Sequence, residues 1–177
     1  MDTLQALRTR RSTRVYTDAP VARATLETIL DCARYAPSAM NGQRWQFTVV
    51  TQPEHLQAIA LQVRNAVRMQ GREVPEDYCC FYHAPVLILV SLPRDYAFVR
   101  EDGACALENI FLAAHSLGLG SCWINQLGAR CDQSTLRALL TTLGVPEAHV
   151  LCGCAAIGHA AALPTAHPRA ENTIHFA

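Results

Sequence analysis

Residues Glu101 to Leu117 constrain the fold of this chain more than any other stretch. Ala104, Leu107, Phe111, Ala114 and Leu117 recur at helical spacing as one stripe, while Ala106, Ile110 and Ala113 make the opposite side apolar too. A helix that is apolar nearly all round has to be covered on both sides, so the chain must supply a layer on each. Ala84 to Ser91, apolar on both faces and of strand length, predicts a central strand in a sheet. Trp45 to Thr51, Ser121 to Ile124 and His149 to Ile157 read as further strands.

Four more helices are legible: Thr3 to Arg8, Ala22 to Tyr35, Pro53 towards Arg68, and Asp132 to Leu143 with Asp132 as N-cap and Gly144 as stop. Met69 to His83 carries no reliable period and predicts a loop that packs down at Tyr78 to Tyr82. After Gly158 comes a proline-punctuated tail ending Thr173-Ile174-His175-Phe176, apolar enough to dock on something. The expectation is one domain over 1–177, an α/β mixture around one sheet of about four or five strands.

The 177 residues are half apolar, 17% charged and of zero formal net charge, which excludes an overall positive field for nucleic acid or anionic lipid. All 15 cations are Arg. Without Lys, Schiff-base chemistry and a Walker-type phosphate loop are excluded. The longest apolar run, Ala84 to Val90, is too short to span a bilayer. Eight cysteines follow an opening, Met1-Asp2-Thr3-Leu4-Gln5, that lacks an export segment, so reduced thiols in a cytoplasmic protein are expected. The apolar excess over one small core suggests a buried face against a partner subunit.

Two polar stretches stand out. Arg8-Thr9-Arg10-Arg11-Ser12-Thr13-Arg14 is either a solvated helix end or an anion clamp; Arg169 in the tail is a second cation source, and paired guanidinium donors suit phosphate. One helix later, Pro37-Ser38-Ala39-Met40-Asn41-Gly42-Gln43 forms a polar turn, because Pro37 ends the helix and forces Ala36 out of the α region. Cys152-Gly153-Cys154, with His149 and His159 near, superficially resembles metal-ligand spacing, but there is no Cys-x-x-Cys and a buried structural role is the simpler reading. Cys122 closes a strand at a site rim, yet no base stands beside it in the sequence, and His115 reads as a satisfied core histidine. With no hydrolytic triad or paired carboxylates, chemistry carried by a bound cofactor fits best.

Arg10-Arg11-Ser12-Thr13-Arg14, Ala33-Arg34-Tyr35-Ala36-Pro37-Ser38, Asn41 to Phe47, Ala113 to Ile124, and Ile157-Gly158 with Pro168-Arg169 together resemble the FMN-dependent nitroreductase family. The resemblance runs from about Leu4 to Arg169, with Arg44 standing where the family usually has Pro and Gln126 where Gly is common. It implies an α+β fold with a central mixed, mostly antiparallel sheet flanked by helices, built as an intertwined homodimer. Residues 159–177 would wrap on the partner, and FMN would lie at the interface. By position, Arg10, Arg11, Ser12, Arg14 and Arg169 would hold the phosphate and ribityl chain. Pro37, Ser38, Ala39, Asn41 and Gln43 of the other subunit would line the flavin ring. Cys122, Trp123, Ile124 and Asn125 would run along it, with a backbone N–H near Asn125 facing N5. The implied chemistry is ping-pong: NAD(P)H leaves a hydride on N5 and departs, and a nitroaromatic, quinone or other electron-poor acceptor then takes the electrons. A reductase of one dedicated metabolite, a flavin-remodelling enzyme, a non-catalytic flavin binder and a Cys/His metal protein are the alternatives.

Overall fold

The computed structural model describes residues 2–162 and 164–176, so Leu163 and Ala177 of the predicted tail lie outside the described residues. Its elements run α1 (Thr3–Thr9), α2 (Arg23–Arg34), a 3₁₀ turn at Ala39–Asn41, β1 (Gln46–Val50), α3 (Pro53–Met69), β2 (Val86–Pro93), α4 (Val99–Ser116), β3 (Gly120–Ile124), a 3₁₀ turn at Gly128–Arg130, α5 (Ser134–Thr142) and β4 (His149–Gly158). Local chemistry explains the boundaries. Asp2 caps α1 by accepting from the Gln5 N–H at 2.9 Å, Pro53 occupies the first turn of α3, and Gly118 and Gly144 leave α4 and α5 with positive φ.

The four strands pair in the order β1-β2-β4-β3, every adjacent pair antiparallel. β2 and β4 are central, as the apolarity of β2 on both faces predicts. Alternation along β2 sends Leu87 and Leu89 to one face and Ile88 and Val90 to the other. On the first face they meet Ile59 and Val63 of α3 and Leu136 and Leu140 of α5. On the second, Ile88 and Val90 belong to a cluster with Leu107 and Ile110 of α4, which carries Leu26 and Ile29 of α2 on its far side. Each such buried aliphatic side chain contributes about 1.5–3 kcal/mol. The result is four layers, α3 with α5, the sheet, α4 and α2, with α4 sandwiched between the sheet and α2, which is why its apolarity runs round both sides.

Three expectations need correction. Asp132 does not cap α5; Gln133 holds that position, and Asp132 instead accepts two bonds from the Arg94 guanidinium at 2.6 and 2.9 Å, with Arg137 at 3.5 Å. A two-pronged charged pair outcompetes a single capping bond. Cys152 and Cys154, expected to share one face of β4, do not. The register slips between Val90 and Ser91, so Cys152 is an extra residue in a β-bulge. Its sulfur turns towards Gly103 on α4, while Cys154 lies in the core on the opposite face. Finally, Leu117, the predicted end of the α4 stripe, is exposed just past the helix.

The two sheet edges differ. Beside β3 runs the segment after α1: the Thr13 N–H donates to the Ser121 carbonyl at 2.8 Å, and Ser12 and Ser121 form an isolated parallel bridge. The outer edge of β1 has no strand partner among the described residues. After Gly158 the chain touches Val15 to Thr17 through backbone bonds, and the described residues beyond that have no helix or strand, with Ile174 77% and Phe176 91% exposed.

Candidate functional site

The arginine segment is laid along β3 because Gly120 leaves room for it. A Cβ at Gly120 would come within 2.6 to 2.8 Å of the Thr13 side chain, closer than any real contact, so only glycine lets the segment approach. Along it the guanidiniums take separate roles. Arg11 folds back on α1 and donates to the carbonyls of Arg8 and Arg10 at 2.8 and 2.7 Å. Arg10 lies over the Phe111 ring at 5.9 Å, with Glu108 at 3.9 Å, and Arg14 lies over Tyr82 at 5.8 Å. Two polar atoms here are buried without a partner: Arg11 Nε and Ser121 Oγ. An unmet guanidinium N–H beside two further arginines and Ser12 is a donor set that fits an anionic oxygen.

β3 presents its neighbouring residues unequally. Cys122 and Ile124 are 4% and 3% exposed with side chains in the core, so only their main chain could line a ligand. Trp123, 39% exposed, packs against Phe111 with ring centroids 6.0 Å apart. It covers Gly153, where a Cβ would sit 2.8 Å from the indole nitrogen. Arg10 and Trp123 thus both pack on the buried Phe111 ring, and Asn125 is exposed at the end of the strand. Burial raises the Cys122 thiol pKa against the opposing pull of Arg14, Ser12 and Arg10. Tyr16, whose hydroxyl donates to the Thr13 carbonyl at 2.8 Å, is likewise raised by burial.

The turn at Pro37 to Gln43 is held elsewhere. Met40, Asn41 and Gln43 all adopt positive φ, of 52°, 54° and 47°, an uncommon backbone for residues with side chains. The turn is cross-braced by the Gln43 N–H donating to Ser38 Oγ at 3.1 Å and the Gln43 amide donating to Asn41 Oδ1 at 2.9 Å. It is tied to α4 by the Ala39 N–H, which donates to Asp102 Oδ1 at 3.0 Å. Asp102 Oδ2 accepts from the Tyr96 hydroxyl at 2.7 Å, and the Arg44 guanidinium lies over the Tyr96 ring at 5.1 Å. Pro37, Asn41 and Gln43 are exposed, and Ser38 and Ala39 half-buried.

Asp102 and Phe111 are nine residues apart on α4, roughly 13 Å of helix rise. One chain therefore brings Arg10 and Trp123 to the Phe111 level, with Arg11, Ser12 and Arg14 along the same segment, and keeps Pro37, Ser38, Ala39, Asn41 and Gln43 near Asp102 at another, while Asn125 lies past the end of β3, beyond Trp123. Arg169 lies in the exposed tail and makes no hydrogen bond or ion pair among the described residues. A cleft of about 730 Å³ between α3 and the loop before β2, lined by Leu56, Ala60, Arg64, Phe81 and Val86 among others, contains none of these residues.

The sequence reading missed Asp102, Tyr96, Phe111 and Tyr82 as supports. The signal for Asp102 was present: it stands four and eight residues before Ala106 and Ile110, on a face that is otherwise apolar. His115 is not a core residue but half-buried, bonded through Nε2 to Thr9 Oγ1 at 2.8 Å, and so ties α1 to α4. The opposed directions of Cys152 and Cys154 remove the metal geometry. Burial also keeps both thiols protonated, with Cys152 pushed up to about 11 and Cys154 raised well above the usual thiol value.

A model of the Nitroreductase family matches residues 7–159. A crystal structure of a nitroreductase with bound FMN from Bacteroides fragilis superposes with a TM-score of 0.93 at 39% identity, over 100% of this chain and 99% of that one. A Methanothermobacter thermautotrophicus protein with the provisional name NADH dehydrogenase/NAD(P)H nitroreductase is 36% identical over 155 residues, 85% of this chain and 73% of the relative. An FMN reductase [NAD(P)H] from Bacillus subtilis is 26% identical over 179 residues, 95% of this chain and 70% of the relative.

Proposed function

The chain belongs to the nitroreductase family, and on that footing we propose that it is an FMN-dependent oxidoreductase of two identical subunits. It passes electrons from NAD(P)H to an electron-poor acceptor such as a nitroaromatic or a quinone. The observation that carries this reading is the arginine segment laid along β3, with the unmet Arg11 Nε–H beside Ser12 and the open Trp123 surface. Arg10, Arg11, Ser12 and Arg14 hold the FMN phosphate and ribityl chain, joined by Arg169 from a tail. Each charge-assisted hydrogen bond to the phosphate contributes about 1.5–3 kcal/mol. Trp123 and the main chain from Cys122 to Asn125 would line the ring, and a backbone N–H near Asn125 would supply it a hydrogen-bond donor. Pro37, Ser38, Ala39, Asn41 and Gln43 of the second subunit close the other side.

When bound, FMN supplies the hydride-accepting and hydride-donating centre. The chain's own residues bind, orient and shield. No side chain need act as a nucleophile, and the protonated, buried Cys122 thiol suits that division of labour. The uncovered β1 edge and the exposed Ile174 and Phe176 support a tail that docks on the second subunit. No described helix is long and apolar enough to cross a membrane, and the eight free thiols suit a reducing cytoplasm.

The test is anaerobic. Purified protein titrated with FMN is expected to bind it, and NADH or NADPH to bleach the yellow colour, which returns on adding a nitroaromatic or a quinone. Protein that neither binds FMN nor is reduced by either nicotinamide overturns the proposal. Return of colour with one metabolite alone would replace the broad acceptor range with a dedicated one.

A further inference from the structure

Asp102 is 3% exposed, and no cation forms an ion pair with it among the described residues. A buried carboxylate without a salt-bridge partner is costly unless hydrogen bonds and a helix N-terminus compensate it. Both are present here: Asp102 stands in the first turn of α4 and accepts from Ala39 N–H and Tyr96 O–H. If the first turn needed only negative charge, the exposed Glu101 beside it would suffice. What Glu101 cannot do is reach the turn. Nor is that turn self-sufficient, because three residues with side chains sit in the left-handed region and surroundings must hold them there.

We propose that Asp102 is a positioning residue: its carboxylate grips the Ala39 N–H, with Tyr96 fixing the second oxygen, and so holds Ser38 to Gln43 in the shape that receives the flavin ring. The inference rests on the flavin reading above and adds a residue that does not itself touch the ligand. The exposed Arg44, stacked on Tyr96, braces the ring. The turn is thereby set by α4, the same helix whose Phe111 supports Arg10 and Trp123, so one rigid element fixes both halves of the binding surface.

Two substitutions cut the same link from opposite ends. Asp102→Ala removes the acceptor. Ala39→Pro removes the donor and keeps the carboxylate, and proline is admissible because Ala39 opens the 3₁₀ turn and Ser38 before it is extended, with φ −139° and ψ 149°. Each is expected to weaken FMN binding roughly tenfold or more, the scale of one hydrogen bond to a charged group. The combination should cost no more than the larger single effect, since both remove one interaction. Asp102→Asn, which can still accept from Ala39 and donate to the Tyr96 oxygen, should restore affinity to within roughly threefold.

Three readouts separate positioning from general damage. Riboflavin, which lacks the phosphate, should lose affinity by the same factor as FMN in Asp102→Ala, whereas Arg10→Ala should weaken FMN alone. The midpoint potential of the flavin that Asp102→Ala retains should shift. In the flavin-free protein the amides of Asn41 to Gln43 should exchange faster than in wild type. Wild-type protein that fails to bind FMN sinks the flavin reading, not this link. Wild type that binds FMN while Ala39→Pro binds it equally well overturns the positioning role, as does an additive double variant or a loss confined to FMN. If Asp102→Ala does not fold, Ala39→Pro and Tyr96→Phe decide the matter by the same measurements.

Discussion

At the scale of single residues, three expectations follow from the charges and thiols. Arg169→Ala is expected to weaken FMN retention roughly tenfold to a hundredfold, the loss of one charge-assisted contact. The flavin-free protein should remain soluble, because Arg169 lies in the exposed tail; unchanged affinity in a fluorescence titration would remove it from the phosphate site. Cys122→Ser should leave the rate of reduction by NAD(P)H within about threefold of wild type in stopped flow, since burial keeps that thiol protonated. His115 sets a pH dependence. Thr9 Oγ1 donates to the Gln5 carbonyl at 2.7 Å, so Nε2 of His115 must be the donor to Thr9. Burial lowers the His115 pKa, and Arg10 and Arg11 lower it further; His149 is lowered by burial too. Below about pH 6.5 the unfolded chain takes up protons that the folded one resists. Stability is therefore complete above that pH and declines as pH falls through it, levelling once the folded histidines also protonate. Urea midpoints measured from about pH 7.5 to 5.5 should fall, and less steeply in His115→Gln; a flat wild-type profile would contradict this.

At the scale of elements, Gly120→Ala tests whether the arginine segment needs its seat on β3. The added Cβ would strike Thr13, so the variant should lose about 1–3 kcal/mol of stability and weaken FMN binding, while the same change at exposed Gly118 should not affect FMN binding. Elements were also what the sequence disclosed best. The two-sided apolarity of Glu101 to Leu117 and the doubly apolar Ala84 to Ser91 required a layered fold with a buried strand, and both lie at its centre. The arginine cluster and the polar turn were visible by composition. Hidden were the features that depend on register and long-range contact. The bulge that sends Cys152 and Cys154 to opposite faces arises from pairing with β2 and leaves no local trace. The tie from Asp102 to Ala39 spans 63 residues, and Asp132 looked like a cap because its partner Arg94 lies 38 residues away.

For the whole molecule, the tail is the part whose role depends most on assembly. Removing residues 164–177 is expected to convert a dimer into a monomer in sedimentation velocity and to release FMN together with it. A truncated protein that remains dimeric and yellow would separate the tail from both. The distance along α4 between the arginine level and the turn level carries a genetic consequence. In the proposed dimer, a copy damaged only at Arg10 and a copy damaged only at the turn would each be impaired with their own kind, yet mixed and reannealed they would pair a sound arginine segment with a sound turn at one of the two crevices. Co-expressing two dead alleles should therefore revive turnover, whereas two lesions at the same level of the helix should stay silent together.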